Sequence, residues 1–328
     1  MHYDLPLEEL RGYRPDLATI VAPDFGAFWE RTLTEARKAA ADPMLEPVPL
    51  DLPMIEAWDV TFSGYAGQPV CAWLIWPAQR TGDLPCVVQY LGYGGGRGRP
   101  EEHLHWPAAG YATLVMDLRG QGAGWSGGRG SEGATPDPEG SHGPQTSGML
   151  SRGVLSPETS YYRRLFCDAI RCAEVAATLP GIDAARVVAA GPSQGGAQAL
   201  AAAAFAPVAA ALIDVPFLCH IAKAITMVDT DPYFELVRFL RWQRNREAEI
   251  LRTLGYIDGV GFAAEARAPA LFSVALMDRI IPPRTVFAAF NHYGGEKDIA
   301  VYPFADHEGG EANHRARQRA YLAERLGP

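Results

Sequence analysis

The sequence predicts an α/β fold, a mostly parallel sheet with helices on both faces. Three observations carry this expectation. Short apolar runs of strand length recur between Cys86 and Tyr302, as expected of strands buried on both sides. Segments of helical length separate them, the clearest running from about Tyr161 to Thr178 and stopping at Pro180, and strands joined through helices pair in parallel. Finally, Gly191-Pro192-Ser193-Gln194-Gly195 lies between the strand-like run Arg186–Ala190 and an alanine-rich run, Ala197–Phe205, suited to a helix.

Taken along the chain, residues 24–40 read as an amphipathic helix opened by Asp24, with Phe28, Leu33 and Ala36 on its apolar face. Ala57–Phe62, the turn Ser63–Gly67 and Val70–Trp76 read as an antiparallel hairpin. Six strands follow at Cys86–Tyr90, Ala112–Met116, Val187–Ala190, Ala211–Val215, Leu271–Leu276 and Ile299–Tyr302. A G-x-S-x-G turn between strand and helix is the nucleophile elbow of α/β-hydrolases, and a hairpin feeding a parallel sheet is that fold's plan. At 328 residues the chain suits one such domain, 1–328, with the N-terminal helix and hairpin in 24–77. Two stretches depart from the alternation. Residues 120–158, rich in Gly, Ser, Pro and Thr, read as an insertion serving function or association. Residues 220–263, helical in pattern from Phe234 to Leu251, read as a cap near the site.

Composition excludes several classes. Hydrophobic residues make up 48% and charged residues 20%, values of a soluble globular protein. A formal charge of -9 leaves no basic stripe for nucleic acid. Met1–Glu9 lacks a secretory apolar core, and no run approaches the roughly 18 apolar residues of a membrane span. The five cysteines (Cys71, Cys86, Cys167, Cys172 and Cys219) are odd in number, which fits reduced, buried thiols in a cytoplasmic protein better than a disulfide framework. Gly122-Ala123-Gly124-Trp125-Ser126-Gly127 matches G-x-G-x-x-G but opens no helix, so it is no dinucleotide fingerprint.

A serine hydroxyl needs a base within hydrogen-bond reach and a carboxylate to orient that base. On this fold the order is Ser, then Asp or Glu, then His. Asp278 follows the run ending Leu276-Met277, and His307 follows the Ile299–Tyr302 strand, both at the carboxyl edge where a parallel sheet gathers ligands. The expected set is therefore Ser193, Asp278 and His307. His2 is terminal, His103 and His105 lie in an expected helix, His142 is in the insertion, and His220 precedes Asp278. His292 lies on the helix before the last strand and His314 begins the C-terminal helix. Among acids, Asp298 faces the wrong edge, Asp306 adjoins His307, and Asp214 is the remaining competitor. The oxyanion requires two fixed donors. The N–H of Gln194 is one, and the glycine turn Tyr90–Gly96 supplies the other, with Tyr93 the expected donor. That turn lacks the G-K-[ST] ending of a phosphate loop. His103-Leu104-His105 has no acidic or cysteine set at ligand spacing, so neither metal nor cofactor is expected.

These residues resemble the acetyl xylan esterase and cephalosporin C deacetylase family, carbohydrate esterase family seven. The match rests on Arg119-Gly120-Gln121, Gly191-Pro192-Ser193-Gln194-Gly195-Gly196 and His307-Glu308, supported by Gln89–Tyr93, Met116–Gly122, Asp214–Leu218 and Leu276–Asp278. Pro192 stands where the family more often has a small residue. The resemblance implies a metal-independent serine esterase removing acetyl groups from xylo-oligosaccharides, small acetate esters and cephalosporin C. It implies Phe217, Pro232 and Ile280 as the small acyl pocket, and a homo-oligomer, a hexamer, as the assembly. Arg119 and Glu308 are expected to pair beneath the site and hold the His307 loop. A longer-chain carboxylesterase or a peptidase on the same fold is the alternative. An inactive binding or scaffold protein and a nicotinamide-dependent oxidoreductase are further rivals.

Overall fold

The structure, a computed structural model, describes residues 2–124, 130–140 and 148–327. Helices α1 (Leu7–Arg11) and α2 (Phe25–Lys38) lead into strands β1 (Met44–Val48), β2 (Ile55–Ser63), β3 (Pro69–Pro77), β4 (Leu84–Gln89) and β5 (Ala112–Met116). Then come α3 (Tyr161–Ala176), β6 (Ile182–Pro192), α4 (Gln194–Phe205) and β7 (Ala210–Asp214). Helices α5 (Ile221–Ala224), α6 (Tyr233–Trp242), α7 (Glu247–Ile257) and α8 (Gly259–Glu265) follow. The chain closes with β8 (Ala270–Ala275), α9 (Pro283–His292), β9 (Lys297–Tyr302) and α10 (Glu311–Leu326).

The strands form one sheet in the order β1-β2-β3-β5-β4-β6-β7-β8-β9. Pairings from β1 to β3, and of β3 with β5, are antiparallel, and all others are parallel. This is the α/β-hydrolase architecture expected from the alternation. Side chains alternate across each strand, so Val187 and Ala189 of β6 enter one core and Val188 the other. The first core includes Trp29, Phe166 and Phe262. On the opposite face Tyr321 and Leu322 of α10 pack on Val87, Val188, Leu212 and Leu271.

Four local expectations change. Strand β1 pairs with β2 from Met44↔Thr61 to Val48↔Ala57, yet it is largely exposed and carries a proline, which an edge strand tolerates and which hides it from periodicity. Residues 100–109 form two short 3₁₀ turns, each with proline at its start, rather than a helix bearing His103 and His105. Asp24 precedes α2 but does not cap it; its carboxylate accepts the Tyr256 hydroxyl at 2.6 Å. The 220–263 segment is only partly a cap, because Ile257, Val260 and Phe262 are fully buried in the main core. Its most exposed part lies around Trp242, which is 86% exposed.

The described part of 120–158 is docked by buried acids. Asp117 Oδ2 accepts the amides of Ala134 and Thr135, both at 2.7 Å. Asp137 accepts both arms of Arg164, at 2.9 and 2.8 Å. His142 and the Trp125–Gly127 half of the glycine pattern lie outside the described residues. Among the described residues no helix is long and apolar enough to cross a membrane. All five cysteines are free thiols, and burial pushes that of Cys86 up to about 12.

Candidate active site

Strand β6 ends at Pro192 and α4 begins at Gln194, leaving Ser193 alone at the corner with φ 56° and ψ -119°. That left-handed conformation disfavours a side chain by about 1–3 kcal/mol and persists only where the surroundings enforce it. The Ser193 amide donates to the Asp214 carbonyl at 2.9 Å, and the Phe217 amide donates to the Ser193 carbonyl at 2.9 Å. Both flanking glycines are required by close approach. A Cβ on Gly191 would stand 2.6 Å from the Gly195 carbonyl carbon, and one on Gly195 would stand 2.5 Å from the Tyr90 oxygen.

The residues expected as base and orienting acid stand after the neighbouring strands β9 and β8. Asp278 is 1% exposed. Its Oδ1 accepts the amides of Ile280 and Ile281, each at 2.8 Å. Its Oδ2 lies 2.8 Å from Nδ1 of His307. A carboxylate only accepts, so Nδ1 donates, and in the neutral tautomer this leaves the Nε2 lone pair for base chemistry. The Asp306 carboxylate accepts the His307 amide at 2.9 Å and shapes the loop. Ser193 and His307 line one cavity of about 600 Å³ with Gly92, Val215 and Gly309. A larger groove of about 1260 Å³ elsewhere is walled by no serine, cysteine or histidine among the described residues, so chemistry rather than size selects the site.

Gln194 is the first residue of α4, and the amides of a helix's first turn have no intrahelical acceptor. Tyr93 follows β4 in the glycine turn. Its buried hydroxyl donates to Glu235 Oε1 at 2.6 Å and accepts the Met149 amide at 3.1 Å. Burial raises the Glu235 carboxyl above its ordinary range, against the lowering effect of the Gly148 amide. Gln121 joins turn to elbow. Its Oε1 accepts the Gly94 amide at 2.7 Å, while its Nε2 donates to the Tyr161 hydroxyl at 2.7 Å and to Gln194 Oε1 at 3.2 Å. Gly120, at φ 64°, makes the bend that aims Gln121 inward.

The expected Arg119–Glu308 pair does not form. Arg119 is fully buried and grips Asp168, with Nη2 2.8 Å from Oδ1, while its Nη1 donates to Gln68 Oε1 at 2.7 Å. Glu308 is exposed at the cavity rim and has no ion pair among the described residues. An uncompensated buried guanidinium would be costly, so Arg119 takes the carboxylate buried beside it on α3. Phe217, Pro232 and Ile280 do not line the cavity shared by Ser193 and His307. Phe217 packs fully buried between Tyr93 and Tyr233. Pro232 precedes α6 after a cis peptide bond. Ile280 is half-buried.

The other histidines among the described residues are engaged elsewhere. Both ring nitrogens of His103 are bonded, to Gln89 at 3.0 Å and the Arg97 carbonyl at 2.9 Å. His105 lies against Trp106. His220 meets the Tyr13 hydroxyl at 3.3 Å, and His292 and His2 reach the carbonyls of Pro15 and Pro303. His314 pairs with Asp214 at 2.6 Å, which removes Asp214 as acid for His307. Asp298 forms a surface pair with Arg317. Sequence reasoning missed Glu235 behind Tyr93, and Tyr3, whose hydroxyl donates to the Asp278 carbonyl at 2.5 Å. No local pattern marks either. Among the described residues no three His, Cys, Asp or Glu side chains gather as metal ligands.

A strained serine at a strand-to-helix corner, sharing a cavity with a histidine–aspartate pair at the carboxyl edge of this sheet, is the arrangement of an α/β-hydrolase. The chain belongs to the acetyl xylan esterase family, whose model, acetyl xylan esterase (AXE1), matches residues 1–325. Among solved structures it is similar to an acetyl xylan esterase from a Paenibacillus species, with TM-score 0.88 and 33% identity over 98% of this chain and 100% of that one. It is also similar to acetyl xylan esterase 1 from a Thermoanaerobacterium species, with TM-score 0.86 and 31% identity over 98% and 99% of the two chains. Acetyl esterase Axe7A of Xylanibacter ruminicola is 25% identical over 314 residues, covering 90% of this chain. The chain spans 66% of that relative's length.

Proposed function

We propose that this chain is a carboxylic ester hydrolase that removes acetyl groups from acetylated xylo-oligosaccharides and small acetate esters through an acetyl-enzyme intermediate. The reading rests on one observation: Ser193 and His307 open onto the same cavity, with Asp278 hydrogen-bonded behind the imidazole. Ser193 Oγ attacks the ester carbonyl carbon while His307 Nε2 takes its proton. The amides of Gln194 and Tyr93 receive the oxyanion. Collapse of the tetrahedral species breaks the bond to the alcohol, which leaves with the proton from His307. A water, deprotonated by His307, then attacks acetyl-Ser193 and releases acetate, and the proton returns to Ser193.

Phe217 and Ile280 flank the reacting set through their backbones rather than by lining its cavity, and Pro232 has no role in it. The Phe217 amide bonds the Ser193 carbonyl and the Ile280 amide bonds Asp278, so both backbones join the reacting set. Cephalosporin C, as an acetate ester of a small alcohol, falls within the same chemistry. A homo-oligomer, a hexamer in the fullest form, is part of the proposal, and light scattering on the eluting protein reads it directly. A chain-length series of p-nitrophenyl esters, run beside acetylated xylo-oligosaccharides on wild type and Ser193→Ala, tests the function. Activity peaking at acetate and lost in the variant supports it. A peak at octanoate, or cleavage of peptides instead, refutes it in favour of the longer-chain esterase or peptidase.

A further inference from the structure

The cavity carries a second histidine–aspartate pair that the hydrolysis above leaves unused. We propose that Asp214, His314 and Tyr302 are positioning residues, a partly buried hydrogen-bond chain that fixes the His307 loop against the nucleophile elbow. The inference rests on the esterase reading of Ser193.

Each link is on a different element. Asp214 ends β7, opposite Pro192 in register, and its carbonyl is the acceptor for the Ser193 amide at 2.9 Å. Its Oδ1 lies 2.6 Å from His314 Nε2, and its Oδ2 accepts Gln318 Nε2 at 2.7 Å. The Ser273 hydroxyl makes a longer contact with Oδ1 at 3.4 Å. His314, 3% exposed in the first turn of α10, reaches back through Nδ1 to the Tyr302 hydroxyl at 3.0 Å. Because the carboxylate only accepts, Nε2–H donates to Asp214, and Nδ1 shares a hydrogen bond with the Tyr302 hydroxyl.

The loop carrying His307 leaves β9 at Tyr302 and enters α10 after Gly310. Both of its ends therefore belong to this chain of contacts. Gly310 closes the arrangement: at φ 91° it lies so near the Tyr302 ring that a Cβ would stand 2.4 Å from it. Val215, directly after Asp214, is held at φ 36°, an outlying conformation for a β-branched residue. The hydrogen bonds thus run from the partner of the Ser193 amide to both anchors of the base. A base misplaced by about 1 Å lowers turnover by about 10²-fold without altering how the ester docks.

The test uses the full-length protein and p-nitrophenyl acetate. Turnover is counted per serine titrated with diethyl p-nitrophenyl phosphate, and thermal melts are recorded in parallel. His314→Leu is expected to lower kcat by roughly 10- to 100-fold with KM changed less than about threefold, and to slow phosphorylation of Ser193. His314→Gln, whose amide N–H can still reach Asp214, is expected to recover most of the loss. Tyr302→Phe, which removes one hydroxyl, is expected to fall between them. A lowered melting temperature with unchanged kcat per titrated serine would overturn the proposal. Should His314→Leu fail to fold, Tyr302→Phe decides alone, and unchanged kcat there overturns it equally. Ser193→Ala is assayed alongside: full activity in that variant sinks the esterase reading itself, whereas unaffected His314 and Tyr302 variants sink only the positioning role.

Discussion

Asp278 divides its carboxylate between two tasks, Oδ2 receiving the His307 ring at 2.8 Å and Oδ1 receiving the amides of Ile280 and Ile281. The backbone bonds fix the acid's own rotamer, so the imidazole is oriented by a group that cannot swing. Asp278→Asn is expected to keep the fold but present an amide N–H to Nδ1, favouring the wrong tautomer. By analogy with serine proteases, kcat for p-nitrophenyl acetate should fall by about 10⁴-fold with little change in KM. Steady-state kinetics on the purified variant check this.

Arg119 gives a stability prediction that its position in the sequence does not suggest. With Asp168 and Asp137 it forms a cluster of side chains that are 0% exposed. Removing one member leaves an uncompensated buried charge, and Arg119→Ala is expected to cost about 3–5 kcal/mol in urea unfolding. Glu308→Gln, at an exposed site without an ion pair among the described residues, should lie within about 0.5 kcal/mol of wild type.

The contrast between these two residues shows what the sequence makes legible. Ser193, Asp278 and His307 are readable because each sits at a strand end in an order the fold imposes, and their strands are continuous apolar runs. Partners across the molecule leave no such trace. Asp168 is one acid on an amphipathic helix, and nothing in its neighbours reveals that it faces Arg119. Glu235 likewise reads as an ordinary polar residue of a helical segment, though it is buried against Tyr93. Strand β1 escapes because an exposed edge carries no alternation. Phe262 reads as cap because its helix is continuous in sequence with segments that do face outward.

The pH dependence of stability should carry a signature of His220. Burial, then the charges of Lys223, Arg284 and His292, lower its ring from 6.5 to about 4 in the folded protein. Between those values the unfolded chain takes up a proton that the folded chain refuses. The contribution is therefore full above pH 6.5 and is lost as pH falls toward 4. His220→Asn, which tolerates the left-handed φ of 47°, should flatten the acid limb in melts from pH 7 to 4. Activity at pH 7 should stay within about twofold, since His220 does not line the cavity with Ser193.

Gly195→Ala tests the geometry of the corner. The added methyl would stand 2.5 Å from the Tyr90 carbonyl oxygen, and backbone cannot yield as a flexible side chain does. We expect esterase activity to fall by at least about 10²-fold through displacement of Ser193 and the Gln194 amide. A crystal structure or amide exchange at the elbow distinguishes displacement from unfolding.

The most direct test of the central claim is mass spectrometry on protein quenched during turnover of p-nitrophenyl acetate. The account predicts a single added acetyl group on the peptide containing Ser193, accumulating in wild type and absent in Ser193→Ala. An acetyl group on another residue, or undiminished turnover by Ser193→Ala, would contradict it.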